Sequence, residues 1–146
     1  MTKQAVAYSK DQVYYIHASS RTTAGMWIAT PPFLKVAADG DVKALGDAIL
    51  QALNASTDPV PQPTNWSGLI APLLELAGVK SWGTFMRRAK CLEVGMDGEK
   101  LRLTPNRNLG SKEGFEASPS KAVELPVTSS PEQVGTAVEE AMNRCE

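Results

Sequence analysis

The first place to look for acid–base or metal chemistry is His17, the single histidine, in the stretch Tyr14-Tyr15-Ile16-His17. It has no second histidine to pair with, and the chain has no Cys-x-x-Cys, so metal-ligand spacing is absent. A lone histidine in an alternating apolar strand usually has a structural role. Cys91 stands beside Leu92 at the start of an expected strand, which fits a buried thiol better than a nucleophile. Gly110-Ser111-Lys112-Glu113-Gly114 has the glycines of a phosphate loop. It lacks the Gly-Lys-Ser/Thr ending and does not lead from a strand into a helix. The carboxylates are scattered, with no pair spaced for acid–base work. Lys80, Arg87, Arg88 and Lys90 form a basic run around Trp82 that could hold nucleic acid. A solvated helix face is the better reading, because the net charge is only −1, with 15 basic and 16 acidic residues. No catalytic constellation, cofactor site or metal site emerges, and the expectation is a binding protein rather than an enzyme.

The elements that would position these residues follow from composition and pattern. With 146 residues, 42% of them hydrophobic and 21% charged, the chain suits one domain over residues 1–146 with a core of its own. No run is long enough to cross a membrane, and the N-terminal residues lack the apolar core of a secretory signal. The expected compartment is therefore the cytoplasm, with Cys91 and Cys145 as reduced thiols.

An internal repeat is the clearest feature. Gly25 and Gly114 stand 89 residues apart (114 − 25), and so do Gly46 and Gly135 (135 − 46). At the same offset Leu45 falls on Val134, Ile49 on Val138, Ala52 on Ala141 and Leu53 on Met142. A long period seen twice indicates a duplicated unit rather than a solenoid. Alternating β-prone segments open each copy, at 5–8 and 13–16 in the first and at 91–94 and 100–104 in the second. Asp97-Gly98 predicts a hairpin turn, with Ser9-Lys10-Asp11 as its looser counterpart. An amphipathic helix closes each copy, at 42–54 and 131–143. Asp41 is the expected cap of the first, and Ser130-Pro131 with Gln133 forms a capping-box start for the second.

The class expected from this is α+β: two strand-rich repeats, each closed by an amphipathic helix packed on antiparallel sheet, with a short helical insert between them. Repeat 1 covers about 4–54, linker and insert about 55–90, and repeat 2 about 91–144. The linker, Thr57-Asp58-Pro59-Val60-Pro61-Gln62-Pro63, is expected to be extended. The insert reads as two short helices, 66–77 and 81–89, broken at Gly78 and docked by Leu69, Ile70, Leu73, Leu74 and Leu76.

More specific residues lie in loops and insert: Ser20-Arg21-Thr22-Thr23 before Gly25-Met26-Trp27, then Trp66 with Pro72-Leu73-Leu74, then Val79-Lys80-Ser81-Trp82-Gly83-Thr84-Phe85. Thr104-Pro105, Arg107 and Gly114-Phe115 follow in order. Together they resemble the immunity proteins of bacterial contact-dependent growth inhibition systems, across nearly the whole chain. At fold level the duplicated strand–helix unit is also similar to the Whirly group of single-stranded DNA-binding proteins, and a single-stranded nucleic-acid-binding module is the rival reading.

The resemblance implies a cytoplasmic partner protein for the C-terminal toxin domain of a large cell-surface effector, a toxin that is frequently a nuclease. With a net charge of −1, attraction to a basic toxin surface would need a local acidic cluster, and the candidates are Asp97, Glu99, Glu113 and Glu116. Arg21 and Lys80 follow as candidates from the first loop and the basic segment. Trp27, Trp66, Trp82 and Phe85 are expected in the core, as large aromatics usually are.

Overall fold

The computed structural model describes residues 2–146, and one mixed-length antiparallel sheet organises them. The chain runs through β1 (Lys3–Lys10), β2 (Val13–Arg21), β3 (Trp27–Ala37) and helix α1 (Val42–Ala55). The insert follows, with a 3-10 turn at Ser67–Leu69, α2 (Ala71–Ala77) and α3 (Trp82–Met86). The second unit holds β4 (Lys90–Asp97), β5 (Lys100–Asn108), β6 (Phe115–Ala117), β7 (Val123–Pro126) and α4 (Pro131–Met142). Strand order is β3-β2-β1-β4-β5-β6, with β7 also paired to β5. The two units therefore join through β1 and β4, whose register runs from Lys3 opposite Met96 to Ser9 opposite Lys90.

Alternation decides which side chains enter the core. Ala5, Ala7, Ile16, Ala18, Leu92, Val94, Leu101 and Leu103 point to one face, where Leu45, Ile49, Leu53, Val134, Val138 and Met142 of α1 and α4 cover them. The helices start as the sequence indicates. Asp41 Oδ1 accepts from the Lys43 amide at 2.9 Å, and Ser130 and Gln133 exchange the two bonds of a capping box at 3.2 and 2.8 Å.

The matched glycines Gly46 and Gly135 have a physical cause. A Cβ on Gly46 would collide with the Pro131 carbonyl oxygen, and one on Gly135 with that of Val42. Val42 and Pro131 are the first residues of α1 and α4, and they too are 89 apart (131 − 42). Each helix thus lays its start against the other's glycine, backbone against backbone.

The two units differ at the edges. β3 pairs with β2 along its whole length, with a bulge that holds the cis Pro31-Pro32 pair between His17 and Ala18. Its counterpart is cut in two by the turn Pro119–Lys121, giving β6 and β7. The hairpin turns also depart from expectation. In the first, Asp11 and Gln12 both take positive φ without any glycine. In the second, Gly98 and Glu99 form the turn and only Gly98 needs positive φ, so Asp97 is the last residue of its strand. The proline-rich linker is tied down rather than free, since the Arg21 amide donates to the Thr57 carbonyl, the Val60 amide to the Arg21 carbonyl and the Thr23 amide to the Val60 carbonyl.

Gly46→Ala and Gly135→Ala should each cost about 3 kcal/mol or more, because the obstruction is backbone and neither helix can yield locally. Gly95→Ala, where a Cβ meets nothing within 4 Å, is the control and should leave stability unchanged within about 1 kcal/mol. Urea denaturation of the three variants measures this. Equal midpoints for Gly46→Ala and Gly95→Ala would overturn the close-crossing account.

Candidate functional site

The sheet face away from α1 and α4 is covered on one side only. Tyr8, Tyr15 and Cys91 point to this face and pack with Leu73, Phe85 and Ala89 from the insert. Tyr8 is the hub, with ring centroids 5.1 Å from Phe85, 5.7 Å from Phe115, 5.8 Å from His17 and 6.0 Å from Trp82. Lys10 ties the insert down by donating through Nζ to the carbonyls of Thr84 and Arg87, at 3.2 and 2.6 Å. Ser81 caps α3, accepting from the Thr84 amide at 3.1 Å.

Beyond Tyr8 the cover stops and a groove of about 380 Å³ opens. Register gives its floor two rows. His17, Val6 and Glu93 are cross-strand neighbours on β2, β1 and β4, and Ser19, Gln4 and Gly95 form the next row. Trp27 from β3 and Trp66 from the turn before α2 stand on the walls, with Leu69, Ile70 and Trp82 nearer the insert. Trp27 is 36% exposed, Trp66 46% and the neighbouring Met26 47%, the exposed large hydrophobic side chains among the described residues. The expectation that Trp27 and Trp66 belong to the core is therefore corrected: the insert's apolar residues cover only the Tyr8 end, and these two indoles are left at the rim. Phe85 is fully buried and Trp82 stacks on it at 5.4 Å and 13°. That ring is half-buried against the cluster and also lines the groove.

Two polar groups on the floor lack partners. His17 is 3% exposed, and its Nδ1–H donates to the Ala18 carbonyl at 2.7 Å. In that tautomer Nε2 is a bare acceptor, and it has no hydrogen-bond partner among the described residues. Burial pushes the imidazole's pKa down, outweighing the upward pull of the Ala18 bond. The half-buried Glu93 carboxyl is pushed up by desolvation, with no charge to offset it. The thiols lie elsewhere. Cys91 faces the insert and Cys145 the helix-side core, where its Sγ donates to the Cys91 carbonyl at 3.1 Å. Burial raises both, which disfavours the reactive thiolate.

The structure divides the residues singled out from sequence. Arg21 and Asp97 continue the alternation of Ser19 and Gly95 by one step, so both border the open end of the groove. Arg21 approaches Asp58 at 4.0 Å. Glu99 is at the hairpin tip beside Asp97, whereas Glu116 lies within β6 and Glu113 in the turn before it, at the other end of β5, roughly 25 Å away at strand rise. The four carboxylates do not form one cluster. Lys80 is exposed in the connection between α2 and α3. Arg88, from the basic run, pairs with Asp11 at 3.7 Å instead of joining Lys80. Glu93 and the unpartnered side of His17 were not legible as a site, since the signal is their adjacency across β1.

A family model described as CDI immunity protein, CdiI, matches residues 3–145. The chain belongs to that family. Two solved structures share its fold. One is a protein of unknown function from Neisseria meningitidis, with TM-score 0.83 and 19% identity, over 100% of this chain and 96% of the other. The second is a CdiA-CT/CdiI toxin and immunity complex from Yersinia pseudotuberculosis, with TM-score 0.82 and 17% identity, over 100% and 98%. No curated protein matches in sequence. Family membership agrees with the resemblance carried by the loop and insert residues, and among the described residues no helix is long and apolar enough to cross a membrane.

The neutral His17 has a consequence for acid stability. Its folded pKa lies below the unfolded value, so the unfolded chain takes up the proton first and stability is lost as pH falls below about 6.5. One such group sets a slope of at most about 1.4 kcal/mol per pH unit. Glu93 works oppositely, because acid neutralises a carboxyl that burial already disfavours as an anion. Urea midpoints of the wild type and His17→Leu, compared from about pH 7.5 to 5, separate the two. The wild type should lose stability more steeply below pH 6.5, and parallel profiles would refute a buried neutral imidazole.

Proposed function

We propose that this chain is the immunity partner of a contact-dependent growth inhibition toxin, which it neutralises in the cytoplasm by binding the toxin's C-terminal domain and covering its working surface. The observation that carries this reading is the family match across residues 3–145. The likeness to a toxin and immunity complex supports the fold as one compatible with that role. The chain acts as an inhibitor without catalysis of its own, and the toxin is a nuclease whose activity falls stoichiometrically as the complex forms.

The groove face is the docking surface this reading favours. It presents two half-exposed indoles beside polar groups that still lack partners, and interface anchors are enriched in such aromatics. Arg21 and Asp97 at its open end supply charges at the rim, where they act mainly on association rate and partner choice. Glu99, Glu113, Glu116 and Lys80 remain candidates for contacts outside this face. Protection at low free concentrations needs about nanomolar affinity, near −12 kcal/mol, which an interface of roughly 1,600 Å² delivers when a few anchors are well packed.

Co-expression of the toxin encoded beside this chain, with growth as readout and melting temperature as folding control, tests the proposal. Trp27→Ala and Trp66→Ala should fold normally and each weaken the complex by about 2 kcal/mol, roughly thirtyfold. Asp97→Lys and Arg21→Glu should mainly slow association. Folded tryptophan variants that protect fully would move the interface away from the groove. A wild-type protein that neither binds nor protects would end the immunity reading.

A further inference from the structure

Resting on that immunity reading, we infer that the groove is a receptor for a single arginine side chain of the toxin, held between Trp27 and Trp66 and donating to both Glu93 and Nε2 of His17.

The floor asks for a donor. His17 belongs to the groove lining, and its Nε2 is buried with an unshared lone pair and no partner among the described residues, so a donor reaches it as the side chains over it shift. Glu93 makes no ion pair or hydrogen bond among them, although it is partly buried. Arg102, cross-strand from Gly95 and two residues before Thr104, which is Glu93's partner on β5, pairs with Glu124 at 3.9 Å. A buried acceptor and a desolvated carboxylate are both costly to leave unmet, and one cationic donor that reaches both relieves both. Their strands flank β1, which places the two residues about 10 Å apart at the backbone. A guanidinium bonding outward from two nitrogens spans about 8 Å between acceptors, whereas an ammonium is a point donor.

The walls ask for the same group. Trp27 and Trp66 line the groove with indoles 36% and 46% exposed, and an indole holds a planar, weakly hydrated guanidinium by stacking better than it holds an ammonium. An acidic or neutral side chain would leave Glu93 unpaired, and an apolar one would leave both acceptors unmet. Charge and shape thus select arginine, and they do so without a net charge on the protein beyond −1.

The test separates the pocket from the immunity reading by using a probe that needs no toxin. Protein labelled with 15N at histidine is titrated with N-acetyl-arginine methylamide, and with the corresponding lysine and glutamine compounds. Arginine should saturate with a dissociation constant in the range of about 1–10 mM, quench tryptophan fluorescence and shift the bare Nε2 resonance of His17. Lysine should bind at least about fivefold more weakly and glutamine not at all. Glu93→Gln and His17→Phe, checked for folding by melting temperature, should each weaken arginine uptake about tenfold and weaken the toxin complex in parallel. No saturable arginine response up to about 50 mM, or lysine binding equal to arginine, overturns the pocket. A folded Glu93→Gln that loses the arginine probe but holds the toxin as tightly as wild type overturns the toxin as its source. A wild-type protein that takes up the probe but no toxin overturns the immunity reading, and with it the toxin's arginine.

Discussion

Two backbone contacts hold the architecture in register. Gly46 lies on the carbonyl of Pro131 and Gly135 on that of Val42, so the starts of α1 and α4 are pressed together without side chains between them. Glycine at both positions makes the crossing possible, and nothing larger fits. With the helices so close, both must sit on one face of the sheet and share one core, from Leu45 and Ile49 on α1 to Val134 and Val138 on α4. The sheet beneath must then be continuous, and β1 pairing with β4 provides that continuity. The narrow β1 residues Ala5 and Ala7 pair with Val94 and Leu92 in the core layer beneath the helices.

The second face follows from what the duplication lacks. Each unit contributes one helix to the first face, but the insert occurs once and covers only the end of the second face around Tyr8 and Tyr15. The remainder is a groove whose floor crosses the β1–β4 junction. Its polar residues carry a folding cost, because an unmet buried acceptor and a half-desolvated carboxylate each disfavour the folded state. A core optimised for stability alone would place apolar residues at His17 and Glu93. The two polar residues stand instead beside two indoles that the insert leaves uncovered.

Charge tells a consistent story at two scales. The overall balance of −1 gives no long-range field, and the acidic loop residues are split between the two ends of β5. Recognition by local arrangement therefore suits this protein better than recognition by bulk acidity. The ion pairs on the surface, such as Lys43 with Asp47 at 2.8 Å, are exposed and contribute little beyond solubility.

Much of this was legible in the chain. The 89-residue offset, the capped helices, the apolar stripe of Ile49 and Val138, and the buried cysteines depend on local pattern and on one face needing cover, so residue order alone determines them. The offset even marked Gly46 and Gly135 without revealing that each meets the other helix's first carbonyl. The turn at Asp11-Gln12 was hidden because two non-glycine residues adopt positive φ there, held by the pairing of β1 with β2. Trp27 and Trp66 misled because hydrophobicity says what a side chain prefers, not whether enough neighbours exist to bury it. His17 and Glu93 are 76 residues apart (93 − 17) and become neighbours of Val6 only when β1 takes β2 on one side and β4 on the other. That adjacency, and the uncovered stretch beside it, are set by strand order and by the finite size of the insert, which no local pattern in the sequence encodes.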